Sequence, residues 1–324
     1  RPGNATPAQE ERLKQALDLY RRKDPGFAAI RDELAAEPVT AWAMTIWFAA
    51  DVARSQRSLR TTRDEWGRLA KGAENPLTRY AVGHLQAIAP AAVPCISREM
   101  IQNVGDRSKQ KLGQVLLAEI GAPALPELTR LAGDPQWQVR RSVAVCAGIS
   151  DSGLDVDPLL QGLLADPEFA VRATAARAMV ERVAARHPAV GGDRDVAALD
   201  AELEPVLTRL SMERDPFVRG EIVRALGRAQ AGPSAGAAIR AALAVERDRK
   251  AKEEMAAALG LVAHEQASAE LLIDLLERSP RQADPVTWGA IQRSLRRMSG
   301  YRRNLDPSGW RVWLAESKTV QRPR

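Results

Sequence analysis

The sequence predicts an all-α fold built as a stack of antiparallel helix pairs, and three observations carry that prediction. The first is the stretch 163–183: Leu163 and Leu164 close one apolar helix, and Asp166-Pro167 makes a turn. Val171, Ala175, Ala178, Met179 and Val183 then recur at three- and four-residue spacing. The second is that this unit returns. Aligned on the residue equivalent to Val171, the chain gives Leu77, Lys109, Val139, Val171, Val218, Ala251 and Thr287, separated by 30 to 36 residues except for one gap of 47. The third is negative: aromatic residues make up only 4% of the chain and strand-forming runs of Val, Ile, Thr and Tyr are missing. Units of this period pack mainly on their neighbours, as in an α-solenoid, so a 324-residue chain is expected to form one elongated domain.

In chain order, residues 7–22 read as an amphipathic helix with Leu13, Ala16, Leu17 and Tyr20 on one side, stopped by Asp24-Pro25-Gly26. Residues 27–37 and 39–54 form the next pair. Trp42, Ile46, Trp47 and Val52 on its second helix suit the buried side of a terminal cap, which has one neighbour only. Thr61-Thr62 is placed to cap a helix through Ala70 that carries Trp66 and Leu69. First helices of the repeats are expected at 91–102, 122–131, 155–164, 196–210, 235–245 and 267–276, each ahead of one aligned second helix. The long gap is filled by an insertion running from His187-Pro188 through Gly191-Gly192 to Arg194. The array then closes on Asp306, an N-cap, with Pro307 in the first turn and Trp310, Trp313 and Leu314 on one face. The expected organisation is therefore a helical cap over 1–60, about seven repeats over 61–300, and a closing helix with a basic tail over 301–324.

The three closest copies, 134–148 (DPQWQVRRSVAVCAG), 166–180 (DPEFAVRATAARAMV) and 215–227 (DPFVRGEIVRALG), share an Asp-Pro turn, Val-Arg and a small residue seven positions after the Val. This pattern resembles a HEAT repeat, and the residues around Trp310 resemble the closing helix of many bacterial HEAT-repeat proteins. Lys109 and Thr287 depart from the apolar residue of the pattern. The resemblance implies that the second helices line a concave groove and that the turn Asp and the helix Arg form ladders between repeats. Asp134, Asp166 and Asp215, with Arg140, Arg172 and Arg219, are thus expected to be structural; an Asp before a helix also caps its free N–H groups.

The net charge of +6 is concentrated at one end: residues 281–324 hold ten Lys or Arg against three Asp or Glu, leaving the first 280 near −1. Cys95 and Cys146 show no metal or redox spacing and are expected to be free thiols. No apolar run is long enough to span a membrane. The chain opens Arg1-Pro2-Gly3 rather than on Met, so a processed or trimmed chain is expected, cytoplasmic or exported.

No nucleophile elbow, phosphate loop or dinucleotide fingerprint occurs. Some HEAT-like proteins are enzymes, among them an iron hydroxylase that binds metal through several His-Glu pairs, DNA glycosylases and bilin lyases. Here only His264-Glu265 has the His-Glu form, with His84 and His187 in distant repeats, so neither a metal nor another cofactor is expected. Trp310 and Trp313 read as buried cap residues, and Trp137 and Phe169, at equivalent places, as repeat packing rather than stacking platforms.

The expected function is a non-enzymatic scaffold for a protein or peptide partner. Positions two and six after each aligned residue lie opposite the apolar face. They hold Arg79, Lys111, Arg141, Arg177, Arg224 and Arg293 but only one acid, Glu253. Gly83, Gly220 and Gly289 at the same positions leave room for close approach. First helices carry Asp155, Asp157, Asp200, Glu202, Glu204, Glu270, Asp274 and Glu277, so the array is expected to be electrically two-sided, with an acidic partner in the basic groove. The alternative is a nucleic-acid or polyanion binder that uses this groove and the basic tail.

Overall fold

The computed structural model describes residues 2–58, 76–151, 153–188, 194–262, 265–278, 281 and 283–317, with backbone alone at 55–58 and 76–77. The helix expected from Thr61 to Ala70, the centre of the 187–194 insertion, His264 and residues 318–324 lie outside them. Among the described residues every regular element is helical, and the fold is an all-α solenoid of helix pairs. Two compact units divide the chain, Arg1–Val156 and Asp157–Arg324.

The N-terminal unit begins with α1 (Pro7–Arg22), α2 (Phe27–Ala35) and α3 (Pro38–Ser58). α1 starts where expected because Thr6 and Gln9 form a reciprocal capping box and Pro7 has no N–H to satisfy. Burial on α3 differs from expectation. Its core face is Ala41, Met44, Phe48 and Val52, while Trp42 and Trp47 are half-buried and Ile46 is 39% exposed. The stripe that meets Tyr20 and Phe27 is the one led by Phe48. Trp42 and Ile46 lie one position further round the helix and fall on its flank.

α4 (Pro76–Ala87), α6 (Arg107–Ile120) and α8 (Trp137–Ile149) then pack side by side as second helices. They alternate with α5 (Ala89–Ile96, continued by a π turn over Ser97–Ile101) and α7 (Leu125–Leu131, preceded by a 3-10 turn). Lys109 is exposed, yet Gly113, Leu116 and Leu117 are buried at the spacing that follows Val171 in its own helix. The repeat register therefore survives there without its first apolar residue.

In the C-terminal unit, α10 (Phe169–Arg186), α13 (Pro216–Arg228), α15 (Arg249–Leu259) and α17 (Pro285–Ser299) form one row. α9 (Asp157–Leu164), α12 (Glu204–Met212), α14 (Pro233–Val245), α16 (Gln266–Arg278) and α18 (Pro307–Glu316) form the other. Val171, Ala175, Ala178, Met179 and Val183 are all at most 2% exposed, and Val218, Ala251 and Thr287 are buried in the same register. The helix expected over 196–210 is two, α11 (Val196–Glu202) and α12, because Pro205, in the first turn of α12, has no N–H to continue the hydrogen-bond ladder of α11. α15 and α17 approach so closely that a Cβ on Gly260 would lie 2.6–2.7 Å from Ser294. The array closes as expected: Asp306 accepts from the Gly309 amide (2.8 Å), and Trp310, Trp313 and Leu314 are buried. The Trp310 indole donates to Gln292 (3.0 Å), which satisfies the one polar group that burying this ring would orphan.

Candidate binding surface

The turns between paired helices decide which charges are spent on the fold. Two acidic positions recur there. Three residues before the aligned position, Asp106, Asp215, Asp248 and Asp284 cap α6, α13, α15 and α17 by accepting from amides of the first turn. Five residues before it, Asp134, Asp166, Glu213 and Glu246 each fold back on an amide two residues on.

The Arg that follows the aligned position spans the second set. Arg140, Arg172 and Arg219 each donate through Nη1 to the carbonyls five and six residues earlier. Arg172 then grips Glu213 with two 2.9 Å hydrogen bonds, and Arg219 grips Glu246 with bonds of 2.6 and 2.7 Å. The ladder the sequence suggested therefore exists, but its third acid is Glu213 and not Asp215, which is a helix cap. Glu246, which the sequence reading did not single out, is the fourth. The signal was present in the five-residue offset from Val218 and Ala251, hidden because Glu replaced Asp. Burial alone would push the Glu213 carboxyl up; the hydrogen bonds from Arg172, the Asp215 amide and Arg209 outweigh it and hold it at about 2.

The acids of the first helices are also largely spent. Asp157 pairs with Arg182 and Arg186, Glu202 with Arg186 and His187, and Asp274 and Glu277 with Arg311. Buried Asp200 accepts from the amides of Gly232 and Ser234. The expected two-sided charge is thus weaker than the residue count implied: these acids are tied to partners within the chain, although Glu202, Asp274 and Glu277 remain 36–42% exposed.

The six candidate cations fall into different settings. Arg79 on α4, Lys111 on α6 and Arg141 on α8 are exposed at one register position of three successive second helices. Arg177 on α10 is half-buried. Arg224 on α13 is half-buried between two carboxylates, donating to Glu254 (3.0 Å) and to Glu221. Arg293 on α17 is exposed, 3.9 Å from Glu253. At position two of α10 and α13, Ala173 and Gly220 are buried against neighbouring helices and do not face solvent. An added Cβ would meet nothing within 4 Å at Gly83 and nothing closer than 3.5 Å at Gly220 or Gly289, so packing does not force these glycines.

A second correction concerns the aromatics. Trp137 and Phe169 are only partly covered, 36% and 44% exposed at the first residue of their helices, and Phe217 is similar at 47%, although Phe169 does meet Phe217 of the next repeat edge-on at 5.8 Å. Their place in the first turn leaves one side of each ring in solvent, whereas the aligned valines one or two residues on are buried. Cys95 and Cys146 are buried free thiols, and burial pushes the Cys146 thiol far up. Among the described residues no group of His, Cys, Asp and Glu is arranged to hold a metal ion, and no helix is long and apolar enough to cross a membrane.

The family model described as HEAT repeats matches residues 112–180 and 156–260, a span that includes α8, α10, α13 and the Arg172–Glu213 and Arg219–Glu246 pairs. The comparison with curated proteins finds no match.

Proposed function

The chain is a HEAT-repeat protein, and from that premise we propose that it is a non-enzymatic scaffold holding a protein or peptide partner along the exposed face of its second helices. The observation that carries the reading is the row Arg79, Lys111 and Arg141, exposed at equivalent positions of three adjacent helices in the N-terminal unit. Helices pack about 8–10 Å apart, so the row sets cations at that interval and suits an acidic segment of a partner. Arg177, Arg224 and Arg293 form a separate stretch of the proposed surface in the C-terminal unit. There the carboxylates of Glu221 and Glu254 meet Arg224, and Glu253 lies 3.9 Å from Arg293.

The test is capture from lysate, quantified by mass spectrometry, with the unaltered chain and with Arg79, Lys111 and Arg141 all changed to Glu. The reading expects an acidic protein to be lost from the variant while circular dichroism stays the same. Capture that survives the triple change sinks it. Nucleic acid on these three cations would reveal itself by losing about fortyfold in affinity between 50 and 200 mM salt, which a mainly apolar protein interface does not.

A further inference from the structure

Two successive turns of the C-terminal unit repeat one pattern, Met212-Glu213-Arg214-Asp215 and Val245-Glu246-Arg247-Asp248. The fold accounts for half of it: the Glu is the ladder acid and the Asp is the helix cap. The other half points to solvent. Met212 is 61% and Val245 77% exposed, and Arg214 and Arg247 are exposed with no carboxylate partner among the described residues. The corresponding places in the two preceding turns hold Gly133 and Ala165 in front and Pro135 and Pro167 behind, so neither a large apolar side chain nor a cation is required by the repeat.

Phe217 stands exposed beside the first of these turns, with Phe169 edge-on to it at 5.8 Å between ring centres. The Arg172–Glu213 and Arg219–Glu246 pairs stitch the starts of α10, α13 and α15 together in that order. Phe169, Met212, Phe217 and Val245 therefore form an exposed apolar strip crossing successive repeats, with Arg214 and Arg247 alongside. In the turn before α10 Glu168 is a half-buried carboxylate, so the basic part is confined to the turns before α13 and α15, whose own acids are consumed.

We propose that this rim is a docking strip for an extended segment of a partner protein that offers one apolar side chain and one carboxylate per three residues. The spacing argues for that occupant. Adjacent helices lie about 8–10 Å apart, and a polyproline-type segment advances about 9 Å in three residues and returns the same face at each step. One apolar side chain would cover Phe217 and Met212 together and the next, three residues on, Val245, and its carboxylates would meet Arg214 and Arg247. This strip is distinct from the second-helix face and does not depend on it.

The probe is a fluorescein-labelled peptide of four Leu-Pro-Glu units, titrated with the full chain by fluorescence anisotropy. Saturable binding is expected, lost when Lys replaces Glu in the peptide. Arg214→Glu with Arg247→Glu should weaken it more than about tenfold, and Met212→Ser with Val245→Ser by a comparable factor, with unchanged melting because all four side chains are exposed. Changing Arg79, Lys111 and Arg141 to Glu should leave it unaltered. Absence of saturable binding to the unaltered chain overturns the proposal, as does binding that ignores the rim variants or disappears with the second-helix ones.

Discussion

The N-terminal unit gathers four aromatic rings around one histidine, whereas the C-terminal unit runs arginine–carboxylate pairs from repeat to repeat. In the first, Tyr20, Phe27, Phe48 and Tyr80 surround His84 with ring centres 4.5–5.8 Å away, and Arg31 donates to its Nδ1. In the second, Arg172 and Arg219 are held between a carbonyl pair of their own turn and a buried carboxylate of the next. The two units use the same apolar register, so what differs is the polar glue. The difference has a functional side. Arg172 and Arg219, which serve as glue, are half-buried, whereas Arg79, Lys111 and Arg141, in the unit whose aromatic cap is held by rings, are exposed.

The shared register is broken most severely by Val171→Asp, which buries a charge at a fully enclosed site. It should cost about 4 kcal/mol or more, read by chemical unfolding. Trp310→Ala removes a fully buried ring and its hydrogen bond to Gln292; a loss of about 3–5 kcal/mol is expected, with earlier melting of the closing repeat seen by hydrogen exchange.

Acid should separate the two units. Burial, reinforced by Arg31, lowers the His84 pKa to about 4, while the unfolded side chain takes a proton near pH 6.5. Its contribution is therefore complete above about pH 6.5 and lost as pH falls toward 4. The Glu213 carboxyl, lowered to about 2, works in a more acid window: its contribution is complete above about pH 4.5 and lost toward 2. Hydrogen exchange at pH 5 should show loosening in the N-terminal unit and none around Glu213. His84→Asn should abolish that difference, and loosening of both units together would contradict it.

Much of the fold was legible because apolar spacing and turn chemistry agree in each repeat: Pro7–Arg22 and the Asp306-capped helix fall where the pattern puts them. What failed were assignments that depend on the angle at which one helix meets the next. Trp42 and Phe48 are both large and apolar, and only the position of Tyr20 decides which is buried. Lys109 shows a register preserved without its marker residue. The candidate surface was legible as a list of cations and not as a set of free charges. Glu254 comes into reach of Arg224 only through the packing of α13 on α15, whereas Glu221, three residues before Arg224 on the same helix, was readable from spacing alone. The rim was missed because an aromatic in a repeat is usually taken to be packed, and at the first residue of a helix it need not be.

The division between cations that hold the array and cations that face outward is tested most directly by measuring the unfolding free energies of Arg219→Ala and Lys111→Ala side by side. Arg219→Ala leaves the buried Glu246 carboxylate without its bidentate partner and should cost about 2–4 kcal/mol. Lys111→Ala, at an exposed helix position, should stay within about 0.5 kcal/mol of the unaltered chain. Equal losses in the two variants, or an Arg219→Ala protein as stable as the original, would contradict the account.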